Sequence, residues 1–138
     1  MKLLHTICYI SNARPDLTDQ QIEEVFDITT FNNNNCDVTG ILLYNMGHFF
    51  QVIEGEKDHI IDLYDNKIAI DSRHDNLFVV YNKPTAKPIF LGYDSKFNIV
   101  KTEEDLQKIK SYLYGVKSST SDKLTRLLRP FVLLQKMD

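Results

Sequence analysis

Two segments of this chain carry apolar residues on both faces of an extended strand, and they constrain the fold more than any other feature. The segments are LLHTICYIS (3–11) and HFFQVIE (48–54). A strand with one face in water alternates apolar and polar residues, so these two must be central strands covered on both sides. Gln51 breaks the pattern, because it shares a face with Phe49 and Ile53. Burying an amide without a hydrogen-bond partner is costly, so Gln51 requires a partner.

The other elements follow in an order that defines the fold class. Thr18 and Gln21 have the spacing of a capping box, which predicts the start of a first helix that frays in the asparagine run 32–35. Met46 and Gly47 form a tight turn that joins two strands in a hairpin. The predicted strands are 3–11, 37–45, 48–54, 77–82 and 89–100, and the later predicted helices are 57–70, 103–115 and 123–135.

The order β-α-β-β-α-β with one further strand predicts an α+β fold, a ferredoxin-like sheet with a fifth strand and two C-terminal helices. In such a sheet the first and third strands lie side by side, which agrees with their apolar faces and places Tyr9 and Gln51 in one neighbourhood. The C-terminal helices carry apolar stripes. These stripes either cover the second face of the sheet or contribute to a dimer or partner surface.

Composition and charge argue against several classes of function. A net charge of −3 is unfavourable for a general nucleic-acid or anionic-membrane surface. No stretch approaches a membrane span, and the N-terminal apolar segment is too short for a signal peptide, so we expect a cytoplasmic protein. The four histidines lack metal-ligand spacing, which predicts no metal site, and Cys8 and Cys36 are expected to be reduced thiols.

Three polar features remain, namely Tyr9, the asparagines at 32–35 and Gln51. Each has a purely structural explanation, as a core tyrosine, a helix C-terminal cap and a satisfied buried amide. Together, the pattern ICYIS … NNNNCDVTGILLY … GHFFQVIEGE … DSRHDN resembles the BLUF family, blue-light sensors that use a flavin. The resemblance runs from about residue 3 to residue 98 and includes the Q-x-x-E-G sequence.

The resemblance implies roles for individual residues. The family's photoactive tyrosine falls on Tyr9 and its key glutamine on Gln51. Its flavin-binding asparagine falls on Asn33, with Asn32 beside it. By the same resemblance, the residues that would form the walls of the flavin site and lie near its ribityl-phosphate tail are Val25, Phe49, Arg73 and His74. The family's habit implies FAD as the cofactor, with FMN or riboflavin as alternatives.

The implied chemistry suits these residue types. An amide offers two donors and an acceptor on one planar group, so Gln51 can link a phenol on one side to a flavin on the other. A flavin excited by blue light is a strong oxidant, and Tyr9 within hydrogen-bond reach can give it an electron and a proton. Rotation or tautomerisation of the amide would then leave a rearranged network and a small red shift. No reactive cysteine is required.

One departure from the family concerns the fifth strand. The family usually carries a W-S-M signature there, and the matching residues are Tyr93, Asp94 and Ser95. Photochemistry should survive this change. Relay of the signal to the C-terminal helices is the step that this change is expected to affect. Tyr93 could also act as a second electron donor if it points inward.

Residues 1–98 are expected to form the flavin-binding sensor, and residues 99–138 a helical extension for output or dimerisation. The extension is too short for an enzymatic domain, so the chain should not be an enzyme and should signal through its own assembly or a protein partner. Two alternatives remain open. One is a degenerate, flavin-free interaction module. The other is a small acylphosphatase-like enzyme, for which Arg14 is available but no glycine-rich loop.

Overall fold

The computed structural model describes residues 3–93, 96–116 and 118–136, with side chains up to residue 129. The strands are β1 (Leu4–Ala13), β2 (Thr39–Asn45), β3 (His48–Glu56), β4 (His74–Thr85) and β5 (Phe97–Val100). The helices are α1 (Asp19–Asn35), α2 (Lys57–Leu63) with a π-helical continuation (Tyr64–Ile68), α3 (Glu103–Val116) and α4 (Ser119–Lys136).

The five strands form one mixed sheet in the order β4-β1-β3-β2-β5. β1 lies antiparallel to β3 and β4, and β5 is added parallel to β2 at the other edge. The predicted fold class is confirmed: an α+β, ferredoxin-like sheet with a fifth strand and two C-terminal helices. The prediction that the first and third strands are inner neighbours is also confirmed, because both have partners on each side.

Helices cover both faces of this sheet, as the apolar pattern of β1 and β3 requires. On one face, α1 and α2 bury a cluster that includes Ile7, Phe26 and Ile60. On the other face, α3 and α4 bury a second cluster, which includes Phe50 of β3 and Leu128 of α4. Alternate residues of β3 therefore point into different layers.

The first helix begins as predicted and ends later. Thr18 and Gln21 form the complete capping box, each side chain bonding the other's backbone N–H. The asparagine run does not fray, because residues 32–35 complete the last turn of α1. The Cys36 N–H closes the helix on the Asn33 carbonyl, and the Asn34 side chain accepts a hydrogen bond from the Phe97 N–H of β5. Tertiary contact thus holds asparagines in a helix despite their modest helical propensity.

The C-terminal third departs from prediction in two places. The predicted fifth strand, 89–100, is a strand only from Phe97 to Val100, and residues 89–93 form turns instead. The last helix starts at Ser119 rather than near residue 123, with Ser118 and Ser121 capping each other's N–H groups.

Gly40 permits the close contact between β2 and β3, and this generates a stability prediction. A Cβ built on Gly40 would lie 1.9 Å from the Val52 carbonyl oxygen, and φ is +142° there. Gly40→Ala should therefore cost roughly 3 kcal/mol or more of unfolding free energy. Gly115→Ala in α3 meets no atom within 4 Å and should stabilise by up to about 1 kcal/mol. Urea unfolding of both variants tests the pair, and equal effects would contradict it.

Candidate functional site

The antiparallel register of β1 and β3 sets Tyr9 directly opposite Gln51. Both side chains lie on the face covered by α1 and α2, and both are almost wholly buried, at 3% and 4% exposure. The Gln51 Nε2 donates a hydrogen bond to the Tyr9 hydroxyl. Each central strand thus contributes a buried polar group to this layer, and the two groups partner each other.

The carbonyl oxygen of the same amide has no hydrogen-bond partner. Oε1 of Gln51 is buried, and no donor in the described residues reaches it. An unsatisfied buried acceptor costs about 1–3 kcal/mol, so its presence in a functional centre calls for a ligand. Gln51 lines a cavity that also contacts Tyr9. A ligand in that cavity with a hydrogen-bond donor would satisfy the amide oxygen.

The cavity lies between the sheet and the helices α1 and α2. The described residues that line it are Tyr9, Val25, Thr29, Leu42, Phe49, Gln51, Ile68, Asp71, Arg73 and His74. Six of the eight sequence-predicted site residues are therefore brought together here, all but the two asparagines. Apolar and aromatic walls with a few convergent polar groups are typical of cofactor sites. This composition fits a planar, partly polar group such as a flavin ring.

His74 is held firmly at the inner wall of the cavity. Its two ring nitrogens bond the Ser11 hydroxyl at 2.7 Å and the Ile68 carbonyl at 2.7 Å. Its ring meets those of Tyr9 and Phe49 edge-on, with centroids 5.9 Å and 6.1 Å away. His74 thus connects β4 to the end of the π-helical segment and shapes the space beside the Tyr9 phenol.

Arg73 and Asp71 form an ion pair at the mouth of the cavity. The Arg73 Nε lies 3.0 Å and 3.2 Å from the two carboxylate oxygens of Asp71. Burial alone would raise the pKa of Asp71, but hydrogen bonds and charge from Arg73 lower it below its usual value. The same partner raises the pKa of the Arg73 guanidinium. The pair carries no net charge, with Arg73 about one-third exposed.

The two predicted asparagines occupy different positions on the last turn of α1. Asn33 is buried on the side of the helix that also buries Ile22 and Phe26, whereas Asn32 is exposed. Asn32 follows Val25 by seven residues and so lies near its stripe on the helix. Among the described residues that line the cavity, neither asparagine is present. The structure therefore brings Asn33 into the layer of the cavity but not to its wall.

Five residues that line the cavity or contact Tyr9 were not predicted as site residues from the sequence. The most notable is Tyr64, whose ring meets Tyr9 edge-on with centroids 5.7 Å apart. The other four line the cavity directly, namely Thr29, Leu42, Ile68 and Asp71. Thr29 stands one turn after Val25, a spacing that could have indicated it. Tyr64 lies where α2 passes into its π-helical continuation, a change of helical register that no sequence period shows.

Tyr93 lies on the opposite face of the sheet from Gln51. Its ring packs against Tyr112 of α3, with centroids 4.8 Å apart, and against Phe90, with centroids 6.2 Å apart. Tyr93 therefore points inward, but into the layer opposite the cavity. Asp94 and Ser95, the other two residues matched to the W-S-M signature, lie outside the described residues. Arg14 pairs with Asp16 at 2.6 Å on the exposed loop after β1.

Comparison with known proteins identifies the class that this fold and site define. The family model described as BLUF, sensors of blue-light using FAD, matches residues 4–96. The solved structure "BlrP1 BLUF" superposes with a TM-score of 0.76 at 27% identity, covering 96% of this chain and 91% of that one. The chain therefore belongs to the BLUF family, as the sequence pattern implied.

Two curated relatives are larger proteins. The chain is 41% identical over 75 residues to the blue light- and temperature-regulated antirepressor BluF of Escherichia coli, which covers 54% of this chain and 18% of that protein. It is 29% identical over 124 residues to photoactivated adenylate cyclase subunit beta of Euglena longa, which covers 90% of this chain and 14% of that protein. This chain thus spans less than a fifth of the length of either relative.

Two absences hold for the described residues only. No helix among them is long and apolar enough to cross a membrane. No group of three or more histidine, cysteine, aspartate or glutamate side chains in that part of the chain could hold a metal ion.

Burial of Tyr9 generates a prediction about its titration. Burial raises the pKa of the Tyr9 phenol, the bond from Gln51 offsets part of the rise, and Tyr64 and Asp71 add to it. In flavin-free protein, the phenolate absorbance of wild type minus that of Tyr9→Phe should show no step near pH 10, where a free tyrosine titrates. Denaturant should restore the step. A step near pH 10 in the folded protein would contradict this placement of Tyr9.

Proposed function

We propose that this chain is a blue-light sensor that binds a flavin non-covalently in the cavity beside Tyr9 and Gln51. The observation that carries the proposal is the Gln51 amide, which donates to Tyr9 at one end and has a buried, unpartnered oxygen at the other. Such an amide is costly in an empty cavity and suited to a ligand that completes its hydrogen bonds. Membership of the BLUF family supports a flavin as that ligand.

The residues around the cavity suit the parts of a flavin nucleotide. We propose that Phe49 and Val25 contact the faces of the ring and that Asn33, with Asn32 beside it, bonds the pyrimidine edge. Arg73 and His74 would lie near the ribityl-phosphate chain, where a guanidinium can pair with phosphate. FAD is the proposed form, in keeping with the family description. Extraction of the cofactor and chromatography distinguishes FAD from FMN and riboflavin.

The proposed mechanism assigns the chemistry to two side chains. A bound flavin supplies blue-light absorption and, once excited, oxidising power. Tyr9 supplies an electron and a proton, because its phenol is buried, protonated and hydrogen-bonded to Gln51. After both return to Tyr9, Gln51 is left with its donor and acceptor exchanged, by rotation or tautomerisation. The His74 ring limits the room beside the Tyr9 phenol, since it packs edge-on against both Tyr9 and Phe49.

The proposed output is a change in assembly or in a protein partner, with no enzymatic activity of this chain. In this view residues 1–98 are the sensor, and residues 99–138, which contain α3 and α4, are the output segment. These helices share a core with Phe50 and Val52 of β3, which flank Gln51 in sequence. A change at Gln51 therefore has a packed route to the helices. This shared core is the observation that supports signalling through the helices.

The function is tested by colour and by one substitution. Purified protein should be yellow, and blue light should shift its flavin absorption reversibly to the red. Gln51→Leu should keep the colour and lose the shift, because leucine fills the space without hydrogen bonds. Gln107→Leu, on the exposed side of α3, is the matched control and should shift like wild type. A colourless protein that takes up no added flavin would instead favour a flavin-free interaction module.

Asn33 and Asn32 provide a second test, of cofactor binding itself. Asn33→Ala should weaken flavin binding by about fivefold to 150-fold, since losing a buried hydrogen bond costs roughly 1–3 kcal/mol. Asn32→Ala removes the same group from an exposed position and should weaken binding less. Fluorescence quenching of titrated riboflavin and FAD measures both. Equal affinities in Asn33→Ala and wild type would remove Asn33 from the site.

A further inference from the structure

Glu54 is a buried carboxylate that the proposed photochemistry does not use. It lies on β3 three residues after Gln51 and is fully buried. It shares the parity of Phe50 and Val52, so it points to the face covered by α3 and α4, away from the cavity. A buried charge is costly unless it is paired or hydrogen-bonded, so its partners indicate what the group is for.

Glu54 holds the turn that follows β4. Its two oxygens accept hydrogen bonds from the backbone N–H groups of Ile89 and Phe90, each at 2.9 Å, and from the Thr6 hydroxyl at 2.8 Å. Burial raises the pKa of Glu54, and these three bonds offset part of the rise. The carboxylate is thus the acceptor for the first two N–H groups of residues 89–93, which we call the 89–93 turn.

The same turn is held from its other side by α3. The Tyr112 hydroxyl donates to the Ile89 carbonyl at 2.6 Å. The Tyr112 ring stacks on Phe90, with centroids 6.0 Å apart, and packs against Tyr93. The Ile89 N–H therefore donates to Glu54 of β3, and the Ile89 carbonyl accepts from Tyr112 of α3. This single peptide segment bridges the strand that carries Gln51 and the first C-terminal helix.

We propose that Glu54 is a positioning residue that couples β3 to α3 through the 89–93 turn, so that a displacement of β3 at Gln51 reaches the C-terminal helices. The inference rests on the proposed function, because the displacement starts with the rearrangement of Gln51. The route does not depend on Asp94 or Ser95. It uses Tyr93 only as a packing partner, so it accommodates the departure from the W-S-M signature.

Hydrogen exchange of the full-length, flavin-bound protein, in the dark and under blue light, tests the coupling. Wild type should show a light-induced change in exchange in the 89–93 turn and in α3. Tyr112→Phe removes only the hydroxyl that reaches Ile89 and should lose most of the change in α3 while keeping the red shift. Tyr114→Phe, on the exposed side of the same helix, is the control and should respond like wild type.

Glu54→Gln tests the other end of the bridge. Its amide keeps the size of the side chain but can accept from only one of the two N–H groups at 89 and 90, so dark exchange of the turn should rise. The light-induced change in α3 should again fall, with the red shift retained. Glu56→Gln makes the same charge change at an exposed position of β3 and is the control. Where Glu54→Gln does not fold, Tyr112→Phe decides the question.

The outcomes separate the coupling from the photochemistry beneath it. A normal red shift with no light-induced change in α3 overturns the coupling alone. So does an unchanged response of α3 in Tyr112→Phe. No red shift in flavin-bound wild type overturns the proposed function, and the coupling with it. A merely structural role for Glu54 would change the dark exchange and leave the light-minus-dark difference intact.

Discussion

The pairing of Tyr9 with Gln51 across β1 and β3 is the contact on which the rest of the site depends. It exists because the two strands meet in one register, and a slip of one residue would turn either side chain to the opposite face. Two features fix the neighbouring register of β3 with β2. The two-residue turn at Met46 and Gly47, both with positive φ, sets the β2–β3 hairpin. Gly40 allows the Val52 carbonyl to approach β2 more closely than any side chain would permit.

The two faces of the sheet carry different sets of contacts. On one face, the Gln51 amide and the ring of His74 line the cavity in which we propose that the flavin binds. On the other face, Glu54 and the aromatic contacts of Tyr112 connect the sheet to α3. β3 belongs to both, because its side chains alternate between the layers. A central strand covered on two sides is thus a natural place to join detection and output.

Much of the fold could be predicted because hydrophobic periodicity is local. The strand pattern, the Thr18–Gln21 capping box and the buried stripe of α3 are each formed by residues that lie close together in the sequence. Two of the errors share a cause, since the 89–93 turn and the end of α1 each depend on a distant partner. The 89–93 turn is apolar enough for a strand, but its first N–H groups are bonded by a carboxylate 35 and 36 residues away. The asparagines stay helical partly because the Asn34 side chain accepts a hydrogen bond from the Phe97 N–H of β5.

For the site, the sequence by itself determined the residue types and the class of protein, since a tyrosine, a glutamine and an arginine-histidine pair stand at recognisable places in the element order. Only the tertiary structure decided which of them meet and what else joins them. It brought Asp71 to the cavity and the Tyr64 ring against Tyr9, left Asn32 exposed and placed Tyr93 on the far face. The physical reason is that spacing along the chain predicts a face of an element, whereas contact depends on how separate elements pack across the sheet.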